Sequence, residues 1–398
     1  MFKGTIIAQI IAVLAGVYLA KLYGEEAYGF LGGFISITSI ASIIGTLELN
    51  NCIITSKTEK QSTNWFNFIL VLIPVIVIIF FLQLFILSNF FFIEKIDLSI
   101  FYLSFIGSLI ITYNLVHQNL FTYQKKFTTL SNIKIFISIC TVIFQFLLFG
   151  HFNKLGLIFG FLIAQILLLT YNFNKNKKSI HNIVFNKIKK DIKSNNRLIK
   201  FLLPSNIINS LANHLMPILI LTFFGAKEAG VYFFSIKVLA APLFLISSSI
   251  SQVFYQKSSE LNNNSNRSEL YATTKKIVTV NLVIIISFLF FINTLGIHFL
   301  NLLFENQWEN LNLYILILSF LIMARSSFSP ISSLIIVLDK NLIGLIFNSY
   351  LLIINIIAIY TGSIYNNILH AIFILSLFGG IGYFVILCFF LNHLKKTK

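Results

Sequence analysis

Apolar runs long enough to cross a lipid bilayer recur along the whole chain. Many reach about 18 residues or more, the length that a helix needs to cross a hydrocarbon core of about 30 Å. The runs do not alternate between polar and apolar residues, as the strands of a membrane barrel do. With 57% of its 398 residues hydrophobic and 11% charged, the chain has too little polar surface to cover a water-soluble fold. The sequence therefore predicts an all-α integral membrane protein.

Basic residues are distributed unevenly between the loops that join these runs. We place twelve spans with the N-terminus inside, so that 22 of the 29 basic residues fall in inner segments and four in outer segments. Because cytoplasmic loops retain positive charge, this split predicts that both termini face the cytoplasm. The predicted spans are residues 4–20, 28–52, 66–92, 97–118, 130–150, 155–173, 199–224, 229–254, 277–302, 311–336, 341–361 and 366–392.

A basic stretch at residues 174–200 lies near the middle of the chain. It carries nine lysines and arginines against a single acid, Asp191. Membrane topology explains this cluster and most of the net charge of +16, so we expect no nucleic-acid partner. The stretch is either a solvated linker or an interfacial helix on the anionic inner leaflet. The apolar face of such a helix would consist of Ile180, Ile183, Val184, Ile188 and Ile192.

The two halves of the chain repeat a glycine-containing turn. Gly24 and Gly29 enclose acidic residues after the first span, and Gly225 and Gly230 enclose a similar segment 201 residues later. A looser echo links residues 123–127 with residues 338–342. Because each half has six helices, both halves insert in the same orientation, as parallel repeats. The predicted parts are an N-terminal six-helix lobe at 1–173, a basic cytoplasmic linker at 174–198 and a C-terminal six-helix lobe at 199–398.

Three basic residues fall inside predicted spans. Lys134 lies near a span end, from which its side chain can reach the interface. Lys237 lies about 12 Å from the outer end of its span, and Arg325 lies about 21 Å from the start of its span, at 1.5 Å per residue. A charge at that depth costs about 2.5–3.5 kcal/mol on the mildest scale, so both should face a wet or protein-lined interior. Arg325 suits phosphate best, because its planar guanidinium can donate two hydrogen bonds to adjacent oxygens.

Other polar groups at membrane depth leave several interpretations open. Glu48, the only acid well inside a span, could pair with a lysine or capture a coupling proton. Asn206, Asn209 and Asn213 follow helical spacing in the seventh span and suit either sugar hydroxyls or helix–helix hydrogen bonds. His214 could be a packed core residue or a proton carrier. Further polar residues that suggest a hydrated interior are Gln9, His117, Gln118, Asn119, Gln145, Gln165, Gln252 and Asn355.

Motifs of covalent chemistry are missing from the sequence. It has no P-loop, no Gly-x-Ser-x-Gly and no His-Glu-x-x-His, and its cysteines are not spaced as metal ligands. Cys52, Cys140 and Cys388 all lie in apolar runs, where packing is the simplest role. We therefore expect neither an enzyme nor a bound metal or cofactor.

Two groups of residues carry a resemblance to a known family. They are Gly4, Gln9, residues 20–29 and Thr46-Leu47-Glu48 in the first half, and Gly230-Val231-Tyr232, Lys237, Pro242, Ser249 and Gln252-Val253-Phe254 in the second. They resemble the signature of Wzx-type polysaccharide flippases of the multidrug/oligosaccharidyl-lipid/polysaccharide (MOP) exporter superfamily. The sequence departs from that signature at Lys21, where arginine is usual, at Gly24, where proline is common, and at His214, where several members have an acid.

The resemblance implies a function as well as a MATE-like fold. Members move undecaprenyl-pyrophosphate-linked oligosaccharides across the bacterial inner membrane by alternating access, through a cavity lined with basic residues. The product is O-antigen of lipopolysaccharide, capsule, exopolysaccharide or a teichoic-type polymer, and the implied partners are membrane lipids, a glycan polymerase and a chain-length regulator. In this chain Arg325, Lys237 and Lys21 would bind the pyrophosphate, and Asn206, Asn209, Asn213 and His214 the sugar. The alternative is an ion-coupled small-molecule antiporter of the same superfamily, which would need more cavity carboxylates than this chain has.

Overall fold

The computed structural model describes residues 2–90, 97–181, 183–185, 187–188, 191, 203–264, 266–305 and 307–396. Within these residues, eleven helical segments are long and apolar enough to cross a membrane, so the protein is a multi-pass membrane protein. The helices are α1 (Phe2–Thr46), α2 (Asn50–Thr55), α3 (Glu59–Phe90), α4 (Leu98–Tyr123), α5 (Phe127–Leu147), α6 (Phe149–Phe152), α7 (Gly156–Asn176), α8 (Leu203–Phe223), α9 (Ala226–Asn263), α10 (Arg267–Phe291), α11 (Ile297–Phe304), α12 (Leu311–Phe328), α13 (Leu334–Val337), α14 (Asn341–Ile364) and α15 (Ile368–Lys396).

Helix α1 crosses the membrane twice. Its 45 residues would span about 68 Å as a straight helix, more than twice the hydrocarbon core. At Gly24 the backbone adopts φ 74° and ψ −176°, and the chain reverses. The Tyr28 hydroxyl accordingly donates a hydrogen bond of 2.5 Å to the carbonyl of Gly16, twelve residues earlier, which a straight helix would place about 18 Å away. The described residues therefore make twelve crossings, as the sequence predicts.

The repeat that the sequence suggests is visible in the backbone. Gly24 and Gly225 both have positive φ, at 74° and 92°. Lys125 and Asp339, in the looser echo, have φ of 55° and 53°. At both of these positions the next amide reaches back five residues, from Lys126 to Phe121 at 3.0 Å and from Lys340 to Ile335 at 2.8 Å. Helices in corresponding positions of the two halves thus end in the same left-handed cap.

The two Gly-x-x-x-x-Gly turns pack against each other through their backbones. A Cβ atom added to Gly29 would overlap the carbonyl oxygen of Ala226, and one added to Gly230 would overlap that of Glu25. Gly230 and Ala226 lie 201 residues after Gly29 and Glu25, so each contact is the counterpart of the other in the repeat. Only glycine permits so close an approach of one helix start to the other.

The chain forms two compact units, Met1–Gly230 and Val231–Lys398. The first unit therefore includes α8, whose Leu221 side chain lies against Gly33 of α1. The lobe boundaries at 173 and 199 stay a prediction. Much of the basic stretch at 174–200, including Ile192 and five of its nine basic residues, lies outside the described residues.

Several helices continue beyond the predicted spans. Helix α9 extends to Asn263 and α10 begins at Arg267, where hydropathy predicted ends near 254 and 277. No helix breaker separates the apolar run from these polar turns, and the side chain of Asn266 caps α10 by accepting from the Glu269 amide at 3.3 Å. Lys257 and Glu269 form an ion pair of 3.1 Å between the two extensions. Hydropathy marks the membrane-length part of a helix and misses such extensions.

Candidate functional site

Glu48 lies in the turn that ends α1, rather than inside the helix as expected. Leu47 and Glu48 both have positive φ, at 47° and 58°, which stops the helix at Thr46. Asn51 donates a hydrogen bond of 2.7 Å to the Glu48 carboxylate, and the Asn206 side chain of α8 bonds to it as well. Burial raises the pKa of this carboxyl, while the two hydrogen bonds oppose the rise. The structure thus joins two of the predicted site residues, Glu48 and Asn206.

The amides of α8 form one face of that helix. Asn209 accepts a hydrogen bond of 2.8 Å at its side-chain oxygen from Asn213, one turn later. Asn206 and Asn213 are half-buried and Asn209 is exposed. Each asparagine side chain carries both a donor nitrogen and an acceptor oxygen. These are the groups that a sugar hydroxyl needs as partners.

Helices α1 and α8 meet at both ends. At one end Gly33 lies against Leu221, and at the other Glu48 bonds to Asn206. The half-exposed amides at 209 and 213 lie between these two points along α8. The amide face therefore borders the space between two helices of the first unit.

Arg325 is exposed on α12, as are Leu313 and Leu316. Leu316 is 58% exposed, and nine residues, or two and a half turns, separate it from Arg325. Arg325 and Leu316 therefore lie on opposite sides of α12. Arg325 also lies close enough to Tyr232 of α9 for its charge to act on the hydroxyl.

Two hydrogen bonds fix the orientation of α12 around Arg325. Asn281 of α10 donates to the Ser326 carbonyl at 2.8 Å, and the Leu321 amide donates to Ser376 of α15 at 3.2 Å. All four of these residues are buried. The guanidinium is therefore carried by a helix whose rotation is set by its neighbours.

The other predicted cations occupy varied surroundings. Lys237 is half-buried on the α9 face that also carries the exposed Phe244, seven residues on. Lys21 is half-buried less than one turn before Gly24. Lys134 donates a hydrogen bond of 3.0 Å to Thr5, so it is held by α1. Lys21, the amide face and the half-buried His214 belong to the first unit, whereas Arg325 and Lys237 belong to the second.

A buried polar ladder between α4 and α7 was missed by sequence reasoning. Asn172 donates to the Asn114 oxygen at 2.9 Å, and Asn114 donates to the Gln165 side chain at 3.0 Å. One turn further on, the Asn176 amide nitrogen lies 2.9 Å from Nδ1 of His117, within hydrogen-bond distance. Among the expected hydrated positions, His117 and Gln165 instead join helices. The signal was available, since Asn172 and Asn176 lie one helical turn apart at the end of an apolar run.

Comparison with known proteins identifies the family and the fold. A family model described as "Polysaccharide biosynthesis protein" matches residues 2–312. No curated protein sequence matches the chain.

Solved structures of MOP-superfamily transporters share the fold. The lipid II flippase MurJ in an inward closed conformation has a TM-score of 0.76 at 16% identity, over 98% of this chain and 87% of the other. An inward-facing MATE-family multidrug resistance transporter has a TM-score of 0.67 at 14% identity, over 100% and 96%. A MOP-superfamily transporter from Pyrococcus furiosus, described as having a binding pocket of reversed polarity, has a TM-score of 0.54 at 13% identity, over 99% of this chain and 95% of the other.

The fold is thus a MATE-like all-α membrane fold, as the sequence predicts. The family and the structural relatives are described by transport or biosynthesis rather than by catalysis. With a family model matching more than three quarters of its length, the chain belongs to the family described as "Polysaccharide biosynthesis protein".

Proposed function

We propose that the protein is a flippase for lipid-linked oligosaccharide. Its substrate would be a glycan repeat unit on undecaprenyl pyrophosphate, moved across the bacterial inner membrane by alternating access for O-antigen, capsule or exopolysaccharide synthesis. The observation that carries this proposal is the exposed Arg325 on the side of α12 opposite Leu316. A guanidinium well inside a predicted membrane span costs free energy unless it meets water or an anion. A diphosphate supplies the anion.

The chemistry of the substrate matches three kinds of group in the chain. The two phosphates need cations, which Arg325, Lys237 and Lys21 would supply. The sugar hydroxyls need donors and acceptors, which Asn206, Asn209, Asn213 and His214 would supply. The polyprenyl tail needs only hydrocarbon and can stay in the bilayer. Transport breaks and forms no covalent bond, which agrees with a chain without catalytic motifs.

Proton coupling through Glu48 is a separate part of the proposal. This carboxyl is partly buried, has a raised pKa and bonds to Asn206 of the amide face. Protonation would remove its charge and weaken the bonds that Asn51 and Asn206 donate to it. The alternative function, an ion-coupled antiporter for small molecules, would use the same acid but has no need of Arg325.

Translocation by purified protein in proteoliposomes tests the function. The probe is undecaprenyl pyrophosphate that carries a short labelled oligosaccharide, and the readout is the fraction exposed to a membrane-impermeant periodate. We expect Arg325→Ala to lower the rate at least tenfold and Arg325→Lys to restore part of it, because the charge remains without the planar fork. Arg267→Ala, at the start of α10 in the same unit, is the matched control and should leave the rate unchanged. Wild-type translocation by Arg325→Ala would remove the assignment.

A further inference from the structure

The segment that follows α7 is docked along the first turns of α3. Gln61, Asn64 and Asn67 lie on one face of α3, three residues apart. Asn64 bonds to both backbone groups of Val184, accepting from its amide at 2.9 Å and donating to its carbonyl at 3.3 Å. Asn67 donates to the Ser179 carbonyl at 3.0 Å. Two polar side chains, Asn64 and Asn67, thus hold the backbone of the linker.

The docked segment runs antiparallel to α3. Gln61 donates to the Asp191 carboxylate at 3.0 Å. Going back along α3 from 67 through 64 to 61, the bonded linker positions therefore rise from 179 through 184 to 191. Phe185 stacks edge-on against Phe68 with ring centroids 6.3 Å apart. Ile188 is only 2% exposed, so part of the segment is packed into the protein. Docking therefore extends over about two turns of α3.

The level of this docking coincides with the membrane surface. Helix α3 begins with the exposed Glu59 and Lys60 and becomes apolar within two turns, or about 11 Å. The headgroup region on one side of a bilayer is about 5–8 Å thick, so the docked segment lies at that level. Near the end of α7, the exposed Tyr171 has its ring centroid 5.8 Å from the Lys175 ammonium. Tyrosine is enriched where a membrane helix meets the headgroup region.

The outer side of the docked segment combines cations with apolar side chains. Ile180, Val184 and Phe185 are 45%, 43% and 62% exposed. The exposed basic residues around them are Lys175, Lys177, Lys178 and Lys187. The one acid of the segment, Asp191, already accepts from Gln61, so the exposed charge is positive.

We propose that this strip, formed by Ile180, Val184, Phe185 and the four lysines, binds anionic phospholipid headgroups at the membrane surface. Each lysine near an anionic leaflet raises the binding constant by a factor of about five. Exposed apolar side chains enter the boundary between headgroups and acyl chains. The hydrogen bonds from Gln61, Asn64 and Asn67 of α3 fix the position of the segment, so that its lysines and its apolar side chains reach the lipid together. This proposal is independent of the flippase function, because it concerns resident lipid rather than the transported molecule.

Lipid binding by the full-length protein in detergent tests the charges. The probes are short-chain phosphatidylglycerol and phosphatidylcholine, titrated and counted by native mass spectrometry. We expect Lys177→Gln/Lys178→Gln to weaken phosphatidylglycerol binding about tenfold and to leave phosphatidylcholine unaffected. The matched control is Lys275→Gln/Lys276→Gln, another exposed adjacent lysine pair, which should change binding less than about twofold. Equal losses in both pairs would show a general effect of charge and overturn the proposal, as would binding of a polyprenyl diphosphate without binding of phosphatidylglycerol.

Limited trypsin digestion tests the docking itself. Asn64→Ala keeps every charge but removes both bonds to Val184, so cleavage after Lys187 should become at least fivefold faster and phosphatidylglycerol binding should weaken. Thr63→Ala is the control, because Thr63 bonds only to carbonyls of its own helix, at Glu59 and Lys60. The same cleavage rate and lipid affinity in both variants would show that the hydrogen bonds from α3 do not position the strip, and would contradict the proposal.

Discussion

The carbonyl oxygen of Glu25 occupies the space that a Cβ atom on Gly230 would need. The matching relationship holds between Ala226 and Gly29, so each copy of the repeated turn supplies one glycine and one carbonyl. The atoms in the way are backbone, which cannot rotate aside as a side chain can. This junction should therefore be the least tolerant of added volume among the described glycines of the first unit.

We expect Gly230→Ala to destabilise the protein by about 3 kcal/mol, at the upper end of the cost of overpacking. The added methyl group must push the start of α9 away from the turn after Gly24. Thermal unfolding in detergent measures the effect. Gly150→Ala, at an exposed helical position with nothing within 4 Å of the added atom, should leave Tm unchanged or raise it. Equal Tm values for the two variants would contradict the packing described here.

Gly24→Ala should destabilise through backbone strain alone. The combination of φ 74° and ψ −176° is one that only glycine adopts readily, and it costs another residue about 1–3 kcal/mol. An added Cβ meets nothing within 4 Å, so no steric contact contributes. Proline, which fixes φ near −65°, should be worse than alanine at this position. The order of Tm, glycine above alanine above proline, checks the prediction, and a proline variant as stable as wild type would refute it.

Glu48 should make stability depend on pH. Because burial raises its folded-state pKa above the ordinary 4.5, its stabilising contribution is complete below pH 4.5 and is lost as pH rises through the raised pKa. Relative to Glu48→Gln, the wild-type Tm should therefore fall as pH rises across that window.

Asn51→Ala supplies a second check on the same carboxyl. It removes a hydrogen bond that favours the ionised form, so the folded-state pKa should rise further and the loss of stability should continue to higher pH. A difference between wild type and Glu48→Gln that does not vary with pH would show that the carboxyl is not buried as described.

The buried ladder between α4 and α7 should appear as a measurable coupling energy. Asn114→Ala leaves the Asn172 amide without the acceptor described here, and Asn172→Ala leaves the Asn114 oxygen without its donor. A double-mutant cycle should give about 0.6 kcal/mol and at most about 1.7 kcal/mol, the range of hydrogen bonds between membrane helices. Thr170→Ala, exposed on α7 and bonded to its own helix at Leu167, should show no coupling to Asn114→Ala.

The sequence predicts the crossings well because each depends on local composition. Gly24 and Gly225 end apolar runs, and their positive φ follows from the absence of a side chain. The spacing of Asn172 and Asn176 marks one side of the ladder, but their partners lie 58 and 59 residues away, so no local pattern identifies those partners. The face of Arg325 becomes clear only once Leu316 is seen exposed. Glu48 was expected within the second span, near its cytoplasmic end, because hydropathy does not reveal the left-handed turn at Leu47 that ends the helix before it.

The exchange of contacts between the two glycine turns bears on the origin of the chain. In an interface with twofold symmetry, each residue meets in the partner the residue that its own counterpart meets. The pairs formed by Gly29 with Ala226 and by Gly230 with Glu25 follow that pattern within one polypeptide. An ancestral protein of half this length could have made the same junction with a second copy of itself, and gene duplication followed by fusion would have preserved it.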